Sequence, residues 1–210
     1  MKNSIKFLSV LAIMFTGIMN AQQNEMQRAI EKGKSDLVAL LTQAGDGFNF
    51  GIKPSEVEQA NGRTGIPYKE IDFQKLLKYD SQQLEQLVTP TQKYIVPLVS
   101  GTNVVTTITL SDKGKEGYKV AELINQQFQN ELNMLPAEVR NNDFRDLDII
   151  YVPNLNTMVY ATGGKLYTSY NNHSLREPIA TETLLKELKT DAVDFQSKYG
   201  DLIKKGKLVH

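Results

Sequence analysis

The 210-residue sequence contains no cysteine. This absence excludes thiol nucleophiles, metal sites built on thiolates, and disulfide exchange. Exported domains often carry disulfides, but a chain of this length buries enough apolar surface to fold without them. The fold must therefore be held together by its core.

Tryptophan is absent and histidine is scarce, which limits the chemistry further. The two histidines are His173 and His210. His173 is the one plausible general base, but no serine lies in a Gly-x-Ser-x-Gly elbow. The zinc-protease, calcium-loop, P-loop and dinucleotide-binding motifs do not occur. We therefore predict no catalytic residue, no metal and no cofactor, and interpret His173 as a solvated loop residue.

Three acidic residues near one strand are the closest approach to a metal motif. Asp143, Asp146 and Asp148 are close in sequence and could approach one another. Acidic residues at the start of a strand also commonly serve as turn and edge solubilisers, and we prefer that interpretation to a calcium site.

The sequence also lacks an excess of positive or negative charge. Lysine and arginine together number 24, and so do aspartate and glutamate. Binding to nucleic acid or to an anionic membrane needs a basic patch, and none is visible along the chain. The composition therefore argues against nucleic acid as a partner.

The N-terminus has the pattern of a secretory signal peptide over residues 1–21. Lys2 and Lys6 precede an uncharged apolar run at 7–18, and Ala21 supplies the small residue before a cut. An uncleaved membrane anchor is the alternative, although about 20 apolar residues are needed to span a bilayer. No later run is apolar enough to serve as an anchor after cleavage. We expect a bacterial periplasmic or secreted protein comprising residues 22–210.

The pattern of elements in residues 22–210 predicts a single α+β domain. Residues 22–90 are mainly helical, with a helix at 24–44 and an edge strand at 68–73. Residues 91–200 are rich in strands and end in a helix at about 180–199. Because the strands come in antiparallel-looking runs, we expect one mainly antiparallel sheet of about five or six strands. Helices should pack on one face of this sheet and at its ends.

Tyrosine is the aromatic residue that the sequence offers for recognition. Tyr151, Tyr160, Tyr167 and Tyr170 cluster in a predicted antiparallel meander. Alternation along the strands allows Tyr151 and Tyr167 to share one sheet face, which would be a surface suited to binding. We take these two residues and Tyr94, on an earlier strand, as candidate binding residues. The alternative is that the rings of the meander pack under the terminal helix.

One segment carries a resemblance to other proteins. Residues 94–123 combine a strand containing Pro97, a turn at 100–103, a β-branched strand at 104–110 and a further strand beginning at Tyr118. This order resembles strand-rich domains of uncharacterised secreted bacterial proteins and, distantly, PepSY-type modules that occur beside peptidases. The resemblance implies a strand–turn–strand unit and assigns no functional residue.

These observations favour an exported soluble binding or accessory protein whose partner is a protein, a peptide or a saccharide. A secreted hydrolase acting on envelope or extracellular polymers, through carboxylates or His173, is one alternative. An inhibitor or chaperone of a secreted peptidase is another. A pocket into which His173 or two acids converge would favour the hydrolase.

Overall fold

One β-sheet forms the centre of the protein. The structure, a computed structural model, describes residues 4–44 and 50–204, with side chains for 23–44 and 50–203. Eight strands in these residues pair in the order β5-β4-β3-β2-β6-β7-β8, and β1 pairs with β3. The strands are β1 (Asn61–Gly62), β2 (Ile66–Ile71), β3 (Val88–Ser100), β4 (Asn103–Asp112), β5 (Tyr118–Glu122), β6 (Asp148–Val152), β7 (Thr157–Thr162) and β8 (Lys165–Tyr167).

Helices precede, interrupt and follow the strands. They are α1 (Ser4–Ala44), α2 (Pro54–Gln59), α3 (Phe73–Leu77), α4 (Leu84–Leu87), α5 (Gln126–Met134), α6 (Ala137–Asn141) and α7 (Thr181–Lys204). Side-chain caps set two of the starts, since Asp72 accepts from the backbone N–H of Gln74 and Lys75, and Asn125 accepts from that of Phe128. The α+β class and the predicted helix ahead of the sheet are confirmed.

The predicted strand count and the place of β2 are wrong. The sheet has eight strands instead of five or six, and it is mixed, because β2 and β6 run parallel while the other pairs are antiparallel. The strand predicted at an edge is β2, which lies between β3 and β6. Its polar residues Lys69 and Glu70 suggested an edge, but Lys69 forms an ion pair with Asp148 of β6. A polar residue with such a partner is compatible with a central strand.

Helices cover both faces of the sheet instead of one. On the face that we call the α5 face, Ile66, Ile95 and Ile149 pack with Phe128 and Leu132 of α5. The opposite face, the α1/α7 face, carries two further clusters. Val96 and Ile108 pack against α1, and Ile150 and Val159 pack against α7. Neighbouring residues of one strand, such as Ile149 and Ile150, pack on opposite faces of the sheet because side chains alternate along a strand.

Glycines let α1 approach the sheet closely. A Cβ on Gly33 would lie 3.0 Å from Val120 and 3.1 Å from Ile108, and one on Gly62 would lie 2.4 Å from Ile30. Gly33 weakens the helix in isolation, but its position under β4 and β5 explains its presence. Ile30, Leu37 and the neighbouring positions of α1 are therefore pressed against the strands.

The terminal helix packs as its periodicity predicts. Leu184, Leu185, Leu188 and Ala192 are all buried, at 1 % exposure or less. They contact Ile150 and Val159 of the sheet, and α3 and α4 add Leu76 and Leu84 to the same cluster. Among the residues that the structure describes, none of the helices is both long and apolar enough to cross a membrane.

Candidate binding surface

Tyr151 and Tyr167 do share a sheet face, and it is the α5 face. Met158 faces Tyr151 and Tyr160 faces Tyr167 across the β-ladders. Tyr167 is 1 % exposed and Tyr160 is fully buried, both within the α5 core. Only Tyr151 reaches solvent, as a half-buried side chain. Of the two predicted meander tyrosines, Tyr151 alone is available for binding.

The structure separates Tyr94 from Tyr151. Tyr94 lies on the α1/α7 face, where its ring meets Tyr118 edge-on at a centroid distance of 5.7 Å. The two residues are therefore on opposite faces of one sheet. The alternative prediction, that the meander rings pack under the terminal helix, fits Tyr170, whose hydroxyl donates to Asp191 of α7 at 2.6 Å. It does not fit Tyr151, Tyr160 or Tyr167, which lie on the face away from α7.

Tyr68 is the partner of Tyr151 that sequence reasoning missed. The two rings are nearly parallel, with an interplanar angle of 23° and centroids 6.5 Å apart. Phe128 of α5 meets Tyr68 edge-on at 6.2 Å, and the Lys93 ammonium lies 5.7 Å from the Tyr68 centroid. Lys93 faces Tyr68 across β3 and β2, and Met158 faces Tyr151 across β7 and β6. We call the row Lys93–Tyr68–Tyr151–Met158 the tyrosine surface.

Hydrogen bonds fix the groups beside this surface. The Tyr160 hydroxyl donates to Glu131 Oε2 at 2.5 Å, and Gln127 donates to the other oxygen of that carboxylate at 3.2 Å. The Tyr68 carbonyl accepts from the Thr91 hydroxyl. Burial raises the pKa of Tyr68, and the nearby charge of Glu70 raises it further. Burial likewise raises the pKa of Tyr160, with Glu131 adding to the effect. Both phenols therefore stay neutral at physiological pH and keep their hydrogen for donation.

Polar groups flank the two half-buried rings. Glu70 lies opposite Tyr151 in the parallel register of β2 and β6. The Tyr151 hydroxyl donates to the side-chain oxygen of Asn156 at 3.3 Å. Lys93 is exposed at the other end of the row. The surface therefore presents two flat apolar rings with hydrogen-bonding groups of both kinds beside them.

His173 lies elsewhere, in a loop held against α7. Its Nε2 is 2.8 Å from Glu187 Oε2, and about a third of each side chain is exposed. The Asn171 side-chain amide donates to Asp191 at 3.1 Å. These bonds hold the loop against the helix, so His173 is partnered and not simply solvated. His210 lies outside the described residues.

Three surface depressions are formed by other residues. One of about 450 Å³ lies between α1 and α2, beside Lys34 and Glu58. One of about 540 Å³ lies beside the β7–β8 turn, and one of about 460 Å³ lies beside residues 144–148. His173 lines none of these three. Each is lined by two acidic residues, however, namely Glu31 and Glu58, Glu85 and Asp148, and Asp146 and Asp148, so the hydrolase stays an alternative prediction. Within the described side chains, no three acidic or histidine residues lie close enough to hold a metal ion.

Comparison of this chain with protein-family models, with curated proteins and with solved structures finds no match. The segment 94–123 does fold as three successive antiparallel strands, the second half of β3, then β4 and β5. Its resemblance to PepSY-type modules stays a prediction, because no comparison bears on it. Inference about function therefore rests on the geometry of the chain.

Proposed function

We propose that the protein is an exported binding or accessory protein that recognises a protein, peptide or saccharide through the tyrosine surface. The observation that carries this proposal is the stacked, half-buried pair of Tyr68 and Tyr151 on central strands of the sheet. Both strands are paired on each side, so the rings stand on a rigid support. A rigid support lowers the conformational entropy lost on binding.

The chemistry of the surface suits recognition better than catalysis. Tyrosine offers a large contact area with few rotatable bonds, and it is common among residues that dominate binding energy. Lys93 and Glu70 add one positive and one negative group beside the rings. The nearby Glu131 carboxylate already accepts hydrogen bonds from Tyr160 and Gln127, so it is occupied as a structural group.

The described packing of α1 is compatible with a cut after Ala21. Met26, Ala29 and Ile30 pack against the sheet, and such a cut would leave these three contacts intact. The side chains of residues 1–22 lie outside the described ones.

The export proposal predicts a shortened protein in the producing bacterium. The chain recovered from the periplasm or medium is expected to begin at or within a few residues of Gln22, because the cut follows a small residue after the apolar run. Intact-mass spectrometry and N-terminal sequencing measure this directly. Recovery of the chain with residues 1–21 still attached, and in the cytoplasm, would contradict export.

The binding proposal predicts that both rings are needed. Against an array of envelope polysaccharides and peptides, Tyr151→Ala and Tyr68→Ala are each expected to weaken binding at least tenfold, since truncation of an aromatic anchor costs about 2 kcal/mol or more. Tyr151→Phe should retain most of the affinity because it keeps the ring.

Tyr199→Ala provides the matched control for this experiment. Tyr199 is 42 % exposed on α7, away from the tyrosine surface, and its truncation should leave binding unchanged. Thermal unfolding of each variant checks that the fold is kept. The proposal would be contradicted if Tyr199→Ala lost as much affinity as Tyr151→Ala. It would also be contradicted if the double variant Tyr68→Ala/Tyr151→Ala bound as tightly as the parent protein.

A further inference from the structure

Glu70 brings a negative charge to the middle of the tyrosine surface. It follows Tyr68 by two residues on β2, and it lies opposite Tyr151 in the parallel register of β2 and β6. Residues two apart on a strand share a sheet face, and so do residues that lie opposite each other on paired strands. Glu70 and the two tyrosines are therefore immediate neighbours on the α5 face.

The Glu70 carboxylate has no partner within the part of the chain that the structure describes. No described group donates a hydrogen bond to it, and no described basic side chain forms an ion pair with it. The residue is nevertheless half-buried. A charge that is partly removed from water and has no counter-charge is costly. A ligand that supplied a positive charge at this position would remove that cost.

The pKa of Tyr68 reports how close this charge lies to the rings. Burial is the main cause that raises the pKa of Tyr68, and the charge of Glu70 raises it further. The same negative charge that disfavours the phenolate favours a cation placed between the carboxylate and the ring. The electrostatics of the surface and the position of Glu70 therefore agree.

Lys93 shows that a cation is compatible with the face of the Tyr68 ring. Its ammonium lies 5.7 Å from the ring centroid, which is inside the distance of about 6 Å at which an aromatic ring attracts a positive charge. Lys93 is exposed, and among the described residues it forms no ion pair with Glu70. It approaches the row from β3, whereas Tyr151 lies on the side of β6. Lys93 therefore leaves the charge of Glu70 uncompensated.

The possible partners of the surface differ in what they offer to Glu70. A neutral saccharide can stack on the rings, but it would leave the carboxylate without a counter-charge. An acidic peptide or saccharide would be repelled by it. A lysine or arginine side chain combines an apolar stem, which can lie along the rings, with a positive group that forms a strong hydrogen bond to a carboxylate. Charge complementarity therefore favours a basic peptide.

We propose that the tyrosine surface recognises a basic side chain, an arginine or a lysine carried by a peptide or by a segment of another protein. This inference rests on the proposed function and narrows its partner to one class. The positive group of the ligand pairs with the Glu70 carboxylate, and its aliphatic stem packs against the rings of Tyr68 and Tyr151.

The test is a nuclear magnetic resonance titration of the ¹⁵N-labelled protein with three probes. They are acetyl-glycyl-arginyl-glycinamide, the same peptide with citrulline in place of arginine, and a neutral oligosaccharide of N-acetylglucosamine. Citrulline has nearly the shape of arginine but no charge. The arginine peptide is expected to shift the backbone amides of residues 68–70 and 150–152. It should bind about tenfold more tightly than either neutral probe, or more, because only it forms a charged hydrogen bond to Glu70.

Glu70→Gln isolates the contribution of the charge, because glutamine keeps the shape of the side chain. This variant is expected to bind the arginine peptide about tenfold more weakly than the parent protein, or weaker still. The matched control is Glu58→Gln, which removes a negative charge from an exposed residue of α2 on the α1/α7 face and should bind as the parent does. Thermal unfolding checks both variants, and the citrulline comparison needs no variant at all.

Equal affinities of the parent for the arginine and citrulline peptides would overturn the inference. So would unchanged affinity of a folded Glu70→Gln variant, or an arginine peptide that leaves the amides of 68–70 and 150–152 unmoved. Tighter binding of the neutral oligosaccharide at those amides would also overturn it, but the proposed function would stand, because the rings would still be the binding site. The proposed function fails on a separate result, namely full affinity of Tyr68→Ala/Tyr151→Ala for whichever probe the parent binds.

Discussion

Leu37→Ala is expected to lower the free energy of unfolding by about 2–5 kcal/mol, the range for truncation of a fully buried leucine. Leu37 of α1 is 0 % exposed and packs in one cluster with Val57, Ile108 and Leu110. Truncation removes apolar contacts on the α1/α7 face and leaves a cavity between helix and sheet. Urea unfolding followed by circular dichroism measures the loss, which is a large share of typical total stability.

Leu40→Ala is the matched control for this prediction. It makes the same chemical change one turn further along α1, at a side chain that is 40 % exposed. Surface substitutions usually change stability by no more than about 0.5 kcal/mol. If the two variants lost the same free energy of unfolding, the packing of α1 against β4 and β3 would be contradicted.

Stability is expected to fall steeply above pH 10. The pKa values of Tyr68, Tyr160 and Tyr170 are all raised above 10.0 in the fold, in each case chiefly by burial. Below pH 10 these phenols are protonated in both states, so their contribution to stability is fully present. Above it, the unfolded chain releases protons that the folded chain keeps, and the unfolded state is favoured. Each such tyrosine multiplies the unfolding equilibrium constant by about ten per pH unit.

Urea unfolding at a series of alkaline pH values measures this dependence, and ultraviolet absorbance of tyrosinate reports which state has ionised. Tyr160→Phe should make the pH dependence less steep, because it removes one of the phenols that releases a proton on unfolding. A free energy of unfolding that stays constant as the pH rises above 10 would contradict the claim that the fold raises the pKa values of these tyrosines.

Local periodicity was sufficient to predict the elements that repeat a clear pattern. The stripe Leu184, Leu188, Ala192 at helical spacing predicts α7 and its buried side. Alternation and the Gly163–Gly164 turn predict the hairpin of β7 and β8, and both glycines have positive φ as that turn requires. These signals are contained within a few residues of chain, so no knowledge of distant partners was needed.

The central position of β2 could not be predicted in the same way. Lys69 and Asp148 are 79 residues apart, and nothing near Lys69 indicates that β6 will lie beside it. Without that partner, a strand containing Lys69 and Glu70 resembles an edge strand, where charges face water. The two-residue strand β1 accounts for one of the strands missing from the predicted count, since it has no periodicity to detect.

The candidate site was predicted in part. Tyr151 follows from alternation in the meander, but its exposure and the burial of Tyr167 depend on where α5 and α6 lie on the sheet. Tyr68 could be assigned to the same surface only once β2 was known to pair with β6, because the stack joins rings on those two strands. The sequence offered one signal for Tyr68: it lies two residues after the apolar Ile66, and residues two apart on a strand share a sheet face.

The central claim, that the protein binds its partner through the tyrosine surface, is tested most directly by site-specific photo-crosslinking. Tyr151→p-benzoylphenylalanine places a photoreactive ring in the surface, and Tyr199→p-benzoylphenylalanine places one on the exposed end of α7 as the control. After irradiation in the producing cells, the account predicts a discrete covalent adduct from position 151 and none from position 199. Adduct formation that Tyr68→Ala leaves undiminished, or an adduct formed only at position 199, would contradict it.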